Sequence, residues 1–440
     1  MRHSLVESAT LRYVEGSPLE CFSQWQPERN NGGSLLLVDF VLEQYWLSGA
    51  PTKPLTAIYY RDENGAVKVS VSDLSLSCTE SSPKPQYAAW AVQCQFAQVS
   101  PGEPLHLLPT YIPKPWGQEV WLTGVEQRGV CAVAAGGGET PIPWIQAVMP
   151  GEMLGNCSAP LILLKILDPL AQPVVGDLYF ELHEKKREVY VVTHVDAQAW
   201  PDATGYIRFG FAPDRRAFYP DDSSFRAAYL AAVRNYEKVR RELDASEEQG
   251  AAYSLELGAQ EAQLRQEMDR FTFMKPLRVG DVVKVPLLMP HALQHGVRTI
   301  EFQTPVYERK ILSFAQKVLT QDHWDTDAAV AQMHLDQPQA DQFEVLTCEQ
   351  GILVERIVDF SDFEVRRVRL TCDYAIRALD IEQYALLMVL EGRLGLAGDV
   401  YGPEQGLLLP CGWQGCLSTV EPATALVFLL ALPRKEAVES

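Results

Sequence analysis

Apolar residues in this chain come in short runs, the longest being Ala425 to Leu432, which stops at Pro433. Runs of this kind suit strands, which need only about 5–6 residues. Between them stand Gly, Pro or Asp-Glu-Asn-Gly clusters, the punctuation of antiparallel β structure. LTAIYYRDENGAVKVSV (55–71) reads as a hairpin turning at Asn64-Gly65, and EVYVVTHVD (188–196) as a further strand. No run approaches the roughly 20 apolar residues of a membrane-spanning helix.

One block breaks the pattern. FRAAYLAAVRNYEKVRREL and ELGAQEAQLRQEMDRF carry apolar residues at helical spacing, with Asp221, Asp222 and Ser223 placed as N-caps, so residues 222–271 are expected to be helical. TESSPKP (79–85) and the Pro-rich 101–115 read as connectors, and the polar HLDQPQADQ (334–342) as a boundary. A chain of 440 residues exceeds one ordinary core. The expected division is an N-terminal β domain over 1–105, a β unit over 106–325 interrupted by the helices, and a C-terminal β unit over 326–440.

Composition narrows the partners. With 47% hydrophobic and 22% charged residues, the chain reads as an ordinary globular protein. Its net charge of −19 disfavours nucleic acid, whose binding depends on Lys and Arg neutralising phosphates. The nine cysteines (Cys21, Cys78, Cys94, Cys131, Cys157, Cys348, Cys372, Cys411, Cys416) include no C-x-x-C pair and are expected to be reduced, mostly buried thiols. The opening residues, MRHSLVESATLRYVEG, lack the apolar stretch of a secretory signal, so the expectation is a cytoplasmic protein with no membrane partner.

The chemistry concentrates in GDLYFELHEKKREVYVV (176–192). In a strand, Glu181 and His183 share one face, and a turn brings Glu188 back beside them. One hairpin reaches only one side of a metal ion, and GDVVKVPLLMPHALQHG (280–296) offers a distant partner in His291, with His295 a candidate for a supporting hydrogen bond. The two segments resemble the first and second motifs of cupins, in order and about a hundred residues apart. Two imidazoles with carboxylates suit one divalent ion, whether zinc, iron, manganese, cobalt or nickel.

A more specific resemblance runs across about residues 110–320. PWGQEVWLTG, PGEMLG, APLILLKILDPLAQ, the ELH and KRE elements, Gly210-Phe211, the helical insertion, LRVGDVVKVP, PHAL and IEFQTPVYER together resemble the type I mannose-6-phosphate isomerase family. The resemblance implies a mainly β fold of two cupin (jelly-roll) β-barrels with a helical insertion and, here, an extra N-terminal β domain. It further implies a zinc ion held by Glu181, His183, Glu188 and His291, with catalytic Lys186 and Arg309 beside a sugar phosphate, and Lys165 on the strand before the ligands. The implied reaction interconverts an aldose phosphate and a ketose phosphate; it requires a base, for which no residue stands out and Glu308 and a metal-bound water are the candidates. A monomer or homodimer is expected.

Two departures from that family stand out. Glu181 replaces its usual Gln, and only four residues separate His183 from Glu188, where the family has a long substrate-covering loop. The second favours an alternative, a sugar-binding or regulatory protein without turnover. A cupin enzyme of different chemistry, such as an oxygenase or free-sugar isomerase using iron or manganese, is a third reading. The C-terminal stretch around Leu390-Glu391-Gly392 and Pro410-Cys411-Gly412 has a cupin rhythm without histidine at the ligand positions, and is expected to be a metal-free barrel. Near the N-terminus, Trp25, Tyr45, Trp46, Tyr59 and Tyr60 are expected to be core residues rather than a sugar platform.

Overall fold

Period-two alternation of apolar and polar residues leaves each strand one face to bury, and in this protein that demand is met by sheets facing sheets and by helices on a sheet. The computed structural model describes residues 10–27, 33–76, 82–149, 160–248, 254–315, 324–338, 342–349, 351–371, 381, 383–396, 398–420 and 424–434. Their contacts form two units, one drawn from 1–110, 121–164 and 343–440, the other from 111–120 and 165–342.

In the first unit, strand Leu11–Glu15 runs parallel to Ser34–Glu43, which pairs antiparallel with Thr52–Arg61, and that in turn with Val67–Ser72. The Asn64-Gly65 turn closes the last pair. Asp62 Oδ1 accepts the backbone N–H of Asn64 and of Ala66, both at 2.8 Å, and Gly65 supplies φ +88°. One face packs Leu35, Leu37, Ile58 and Tyr60 against Tyr87 and Trp90 of helix Pro83–Cys94. Trp25, Tyr59 and Tyr60 are therefore core residues, whereas Tyr45 is exposed.

A nine-stranded sheet completes this unit. It runs from Gly138–Pro141 and Ala132–Ala135 through Leu105–Leu108 to Gly406–Leu409, Ala385–Glu391, Leu426–Pro433, Phe363–Leu370, Ile352–Asp359 and Glu344–Glu349. Leu105–Leu108 pairs directly with Gly406–Leu409, so a segment near the front of the chain and one near its end share a sheet. Leu387, Val389, Leu407, Phe428 and Leu430 of this sheet pack with Leu394, Leu396 and Leu417 beneath a small sheet of Leu394–Leu396, Asp399–Tyr401 and Ser418–Thr419.

The second unit sets two sheets face to face. One has the order Val282–Val285, Glu188–Val195, Val297–Gln303, Leu163–Pro169, Gly117–Trp121, Thr110–Lys114; the other Thr272–Leu277, Gly205–Phe211, His291–Leu293, Phe180–Leu182, Lys310–Ser313. Tyr190, Val192, Val283 and Val297 of the first meet Ile207, Phe209, Leu277 and Leu293 of the second. No sheet closes on itself among the described residues. Where closed barrels were expected, the strands form open facing sheets, which bury one face of each strand equally well.

The helical block occupies the outer face of the five-stranded sheet. It comprises Asp222–Glu248 and Leu255–Asp269, and each helix is capped at its start: Asp221 Oδ1 accepts the Ser224 N–H at 2.7 Å, and Ser254 Oγ that of Leu257 at 3.2 Å. Phe225, Tyr229, Val233 and Tyr236, spaced by three and four residues, pack with Phe180, Leu182, Phe211 and Phe271. Among the described cysteines only Cys131 is buried, and Cys348 and Cys416 are exposed, so the thiols are not the mostly buried set expected. Edge and loop positions on β structure expose residues that composition reads as apolar. No helix among the described residues is long and apolar enough to cross a membrane.

Phe225 is fully buried where the helices meet the sheet. Phe225→Ala is expected to lower unfolding free energy by about 3–5 kcal/mol, read by urea denaturation followed through far-ultraviolet circular dichroism. A loss below about 1 kcal/mol would show that the helix does not depend on this contact.

Candidate metal centre

Strand alternation decides what each side chain of 180–183 meets. Phe180 and Leu182 point into the helix-covered core, so Glu181 and His183 turn to the inner side, toward the six-stranded sheet. In the neighbouring strand, Glu181 lies directly opposite His291, while Ala292 takes the helix side. Across the gap, Glu188 begins its strand beside Gln303, and Tyr190, two residues on and on the same face, stands beside Glu301.

These side chains converge. One donor atom each from Glu181, His183 and His291 lies within 4.8 Å of the others. Glu188 reaches both imidazoles: Oε1 lies 3.4 Å from His183 Nε2, and Oε2 3.0 Å from His291 Nε2. His183 Nε2 is 3.7 Å from Glu181 Oε1. His183 and His291 are almost entirely buried, as is Glu188.

The outer ring nitrogens show how the imidazoles are aimed. His183 Nδ1 donates to the Glu308 carbonyl and His291 Nδ1 to the Met289 carbonyl, each at 3.0 Å. A carbonyl only accepts, so Nδ1 carries the proton in both rings and Nε2 faces the carboxylates, the arrangement usual for metal-binding histidines. His183 Nε2 and Glu181 Oε2 are buried with no hydrogen-bond partner. Orphaned buried acceptors are uncommon unless something else satisfies them. Two Nε2 atoms and two carboxylates are a donor set that fits a divalent ion.

The electrostatics are strongly biased. Burial alone would push Glu188 up, but Lys186 and the two histidines hold it well below the carboxylate range. Glu181 behaves likewise: burial opposes ionisation, and Arg309, His183, Lys186 and His291 outweigh it. Burial lowers His183, only partly opposed by Glu188, and so favours the neutral imidazole a metal needs. Glu301 is pushed well above the usual range by burial and by the nearby charge of Glu188. Tyr190 is likewise held protonated by burial and by Glu188, and donates to Glu188 Oε2 at 2.7 Å.

The remaining sequence candidates divide. Lys186 is buried with Nζ 2.6 Å from Glu188 Oε1, and Arg309, more exposed, lies 3.8 Å from Glu181 Oε2 with its guanidinium over the Tyr179 ring. Lys165 pairs with Glu301 at 3.2 Å, in the sheet that carries Glu188. The Glu308 carboxylate accepts the backbone N–H groups of Glu184 and Lys185. His295 hydrogen-bonds Asp177 at 2.7 Å and stacks on Trp200, contacts that involve none of the four candidate ligands. Sequence reasoning passed over Tyr190 and Glu301. Their signals were present: Tyr190 shares a strand face with Glu188, and Glu301 stands between Ile300 and Phe302 in the strand Val297–Gln303.

No protein-family model matches this chain, and no curated protein sequence matches it. Solved structures do. The mannose 6-phosphate isomerase of Bacillus subtilis superposes with a TM-score of 0.51 at 14% identity, covering 75% of this chain and 99% of its own. A phosphomannose isomerase mutant from Salmonella typhimurium gives 0.54 at 12%, covering 76% and 100%. A zinc-bound mannose 6-phosphate isomerase gives 0.51 at 13%, covering 76% and 100%. At these identities what is shared is the fold.

The biased groups give stability a definite pH dependence. His183 has a folded pKa below its unfolded value of about 6.5, so its contribution is complete above that pH and declines as acid protonates the unfolded chain. Glu188 and Glu181 act in the same direction below about pH 4.3, whereas the raised Glu301 contributes below the carboxylate range and loses that contribution as pH climbs through its folded value. In chelator-treated protein the His183 contribution is expected to fall between about pH 7 and 5, read as a steeper acid-side loss of unfolding free energy in wild type than in His183→Gln. An unchanged slope in the variant would remove His183 as its source.

Proposed function

We propose that this protein is a metal-dependent aldose–ketose isomerase acting on a sugar phosphate, with mannose 6-phosphate and fructose 6-phosphate as the first pair to test. The observation that carries the reading is the convergence, on a fold shared with phosphomannose isomerases, of two Nε2 atoms and two carboxylates beside Lys186 and Arg309. Glu181, His183, Glu188 and His291 would hold the ion, and zinc is the metal expected. When bound, such an ion orients sugar oxygens and offsets negative charge that develops on them.

The chain's own residues supply the rest. The reaction moves a proton between neighbouring carbons by way of an enediol. Arg309, at the exposed side of the site, is placed to bind the phosphate through its planar fork of donors. Lys186 holds Glu188 ionised and adds positive charge near the reacting oxygens. Tyr190 fixes the Glu188 carboxylate from the other side. Phe209, opposite His291 in the neighbouring strand, joins Tyr190, Trp116 and Leu167 in one buried apolar cluster.

A second reading has its own support. Lys186 and Arg309 are both engaged with candidate metal ligands, and the connection between His183 and Glu188 is four residues long. A sugar-binding or regulatory protein without turnover would look the same.

Element analysis of purified protein, wild type against His291→Ala, combined with a coupled assay on a panel of hexose phosphates, separates the readings. The isomerase reading expects about one equivalent of metal and turnover in wild type, with both lost in the variant. Metal-replete wild type without activity on any hexose phosphate would end the isomerase reading, and iron or manganese in place of zinc would point to different chemistry.

A further inference from the structure

The turn between the two ligand-bearing strands lacks a loop of its own to hold it, yet four of its residues are tied to one neighbouring segment. Thr304 donates its backbone N–H to the Arg187 carbonyl at 3.0 Å, and its hydroxyl accepts the Arg187 N–H at 3.1 Å. Glu308 Oε2 accepts the N–H groups of Glu184 and Lys185 at 3.0 and 3.1 Å, and Oε1 lies 3.2 Å from the first. The carbonyl of the same Glu308 receives the His183 Nδ1 proton at 3.0 Å. One residue therefore grips the turn through its side chain and the imidazole through its backbone.

We propose that Glu308 is the positioning residue of the metal centre, clamping the 184–185 turn so that its carbonyl holds His183 in the Nδ1–H tautomer with Nε2 aimed at Glu181 and Glu188. The proposal rests on the metal-site reading for its consequence and on hydrogen-bond geometry for its substance. A carboxylate accepting two successive backbone N–H groups is a charge-assisted, two-pronged contact, stronger than neutral equivalents. If the prongs are lost, the segment stays tied to the turn at Thr304 alone, its 308 end can shift, and the Glu308 carbonyl moves with it. A shift of a few tenths of an ångström in a carbonyl that orients a ligand matters, because such outer partners typically change metal affinity 10- to 100-fold. Among the described residues the Glu308 carboxylate hydrogen-bonds only the backbone of Glu184 and Lys185, so its influence on the candidate donor atoms passes through His183.

The test uses the full chain with Glu308→Ala and Glu308→Gln. Gln keeps an acceptor oxygen for the turn, and Ala keeps none. Nitrogen-15 spectra of histidine-labelled, chelator-treated protein report the His183 tautomer without any metal, with His183→Gln assigning the signal. Wild type and Glu308→Gln are expected to show a single Nδ1–H tautomer, and Glu308→Ala a mixture. Zinc titration of the same samples is expected to show a loss of about 10- to 100-fold in affinity for Glu308→Ala, largely restored in Glu308→Gln. A single Nδ1–H tautomer in Glu308→Ala overturns the proposal. So does Glu308→Gln retaining zinc and tautomer while losing all isomerase turnover, since that marks a base. Wild type that shows the tautomer and its dependence on Glu308 but binds no zinc would uphold the positioning role and end the metal reading instead.

Discussion

The second unit depends on balancing charge inside a protein interior. Ionised carboxylates are not tolerated in low-dielectric surroundings unless cations or hydrogen bonds compensate them. Here the strands carrying Glu188, Glu301, Lys165 and Glu119 are successive neighbours in one sheet, and each of the four residues is buried. Compensation is pairwise: Lys186 with Glu188, Lys165 with Glu301, Lys114 with Glu119, and Arg309 with Glu181. Glu301 stands out because burial and the neighbouring charge of Glu188 push its carboxyl well above the usual range. A divalent cation at the four candidate ligands would enter a place already shaped to receive positive charge.

Such an interior needs apolar support elsewhere, and the helices supply it. Their aromatic stripe buries the outer face of the five-stranded sheet, so the inner face of Phe180–Leu182 and His291–Leu293 can present polar groups without loss of a core. Packing and chemistry are linked through alternation alone. Shifting the 180–182 strand by one residue would send Glu181 into the aromatic core and Phe180 into the site. The insertion is thus part of what positions the ligands, although none of its side chains is a candidate ligand.

The turn between His183 and Glu188 is held from outside: a passing segment, Thr304 to Glu308, makes contacts along it. Arg309 follows that segment directly, so the residue proposed to meet the phosphate is continuous in the chain with the residues that hold the turn. Its exposure fits a group that meets ligand from solvent, whereas the buried Lys186 is committed to Glu188.

Much of this was legible in the residues. The Asn64-Gly65 hairpin, the capped helical block and the same-face placement of Glu181 with His183 follow from local chemistry, because turn geometry, capping and strand period act over a few residues. The convergence of His183, Glu188 and His291 could be anticipated from spacing and resemblance, since two motifs in order constrain one another. What local pattern could not contain was partner choice across distance. Nothing near Leu105 indicates that its strand will pair with Gly406–Leu409. Nothing near Glu301 shows that its neighbours will be Tyr190 and Lys165, or near Glu308 that its carboxylate will accept two backbone N–H groups of a distant turn. Those outcomes depend on how separate strands stack and register, and only the assembled tertiary structure brings the groups within reach of one another.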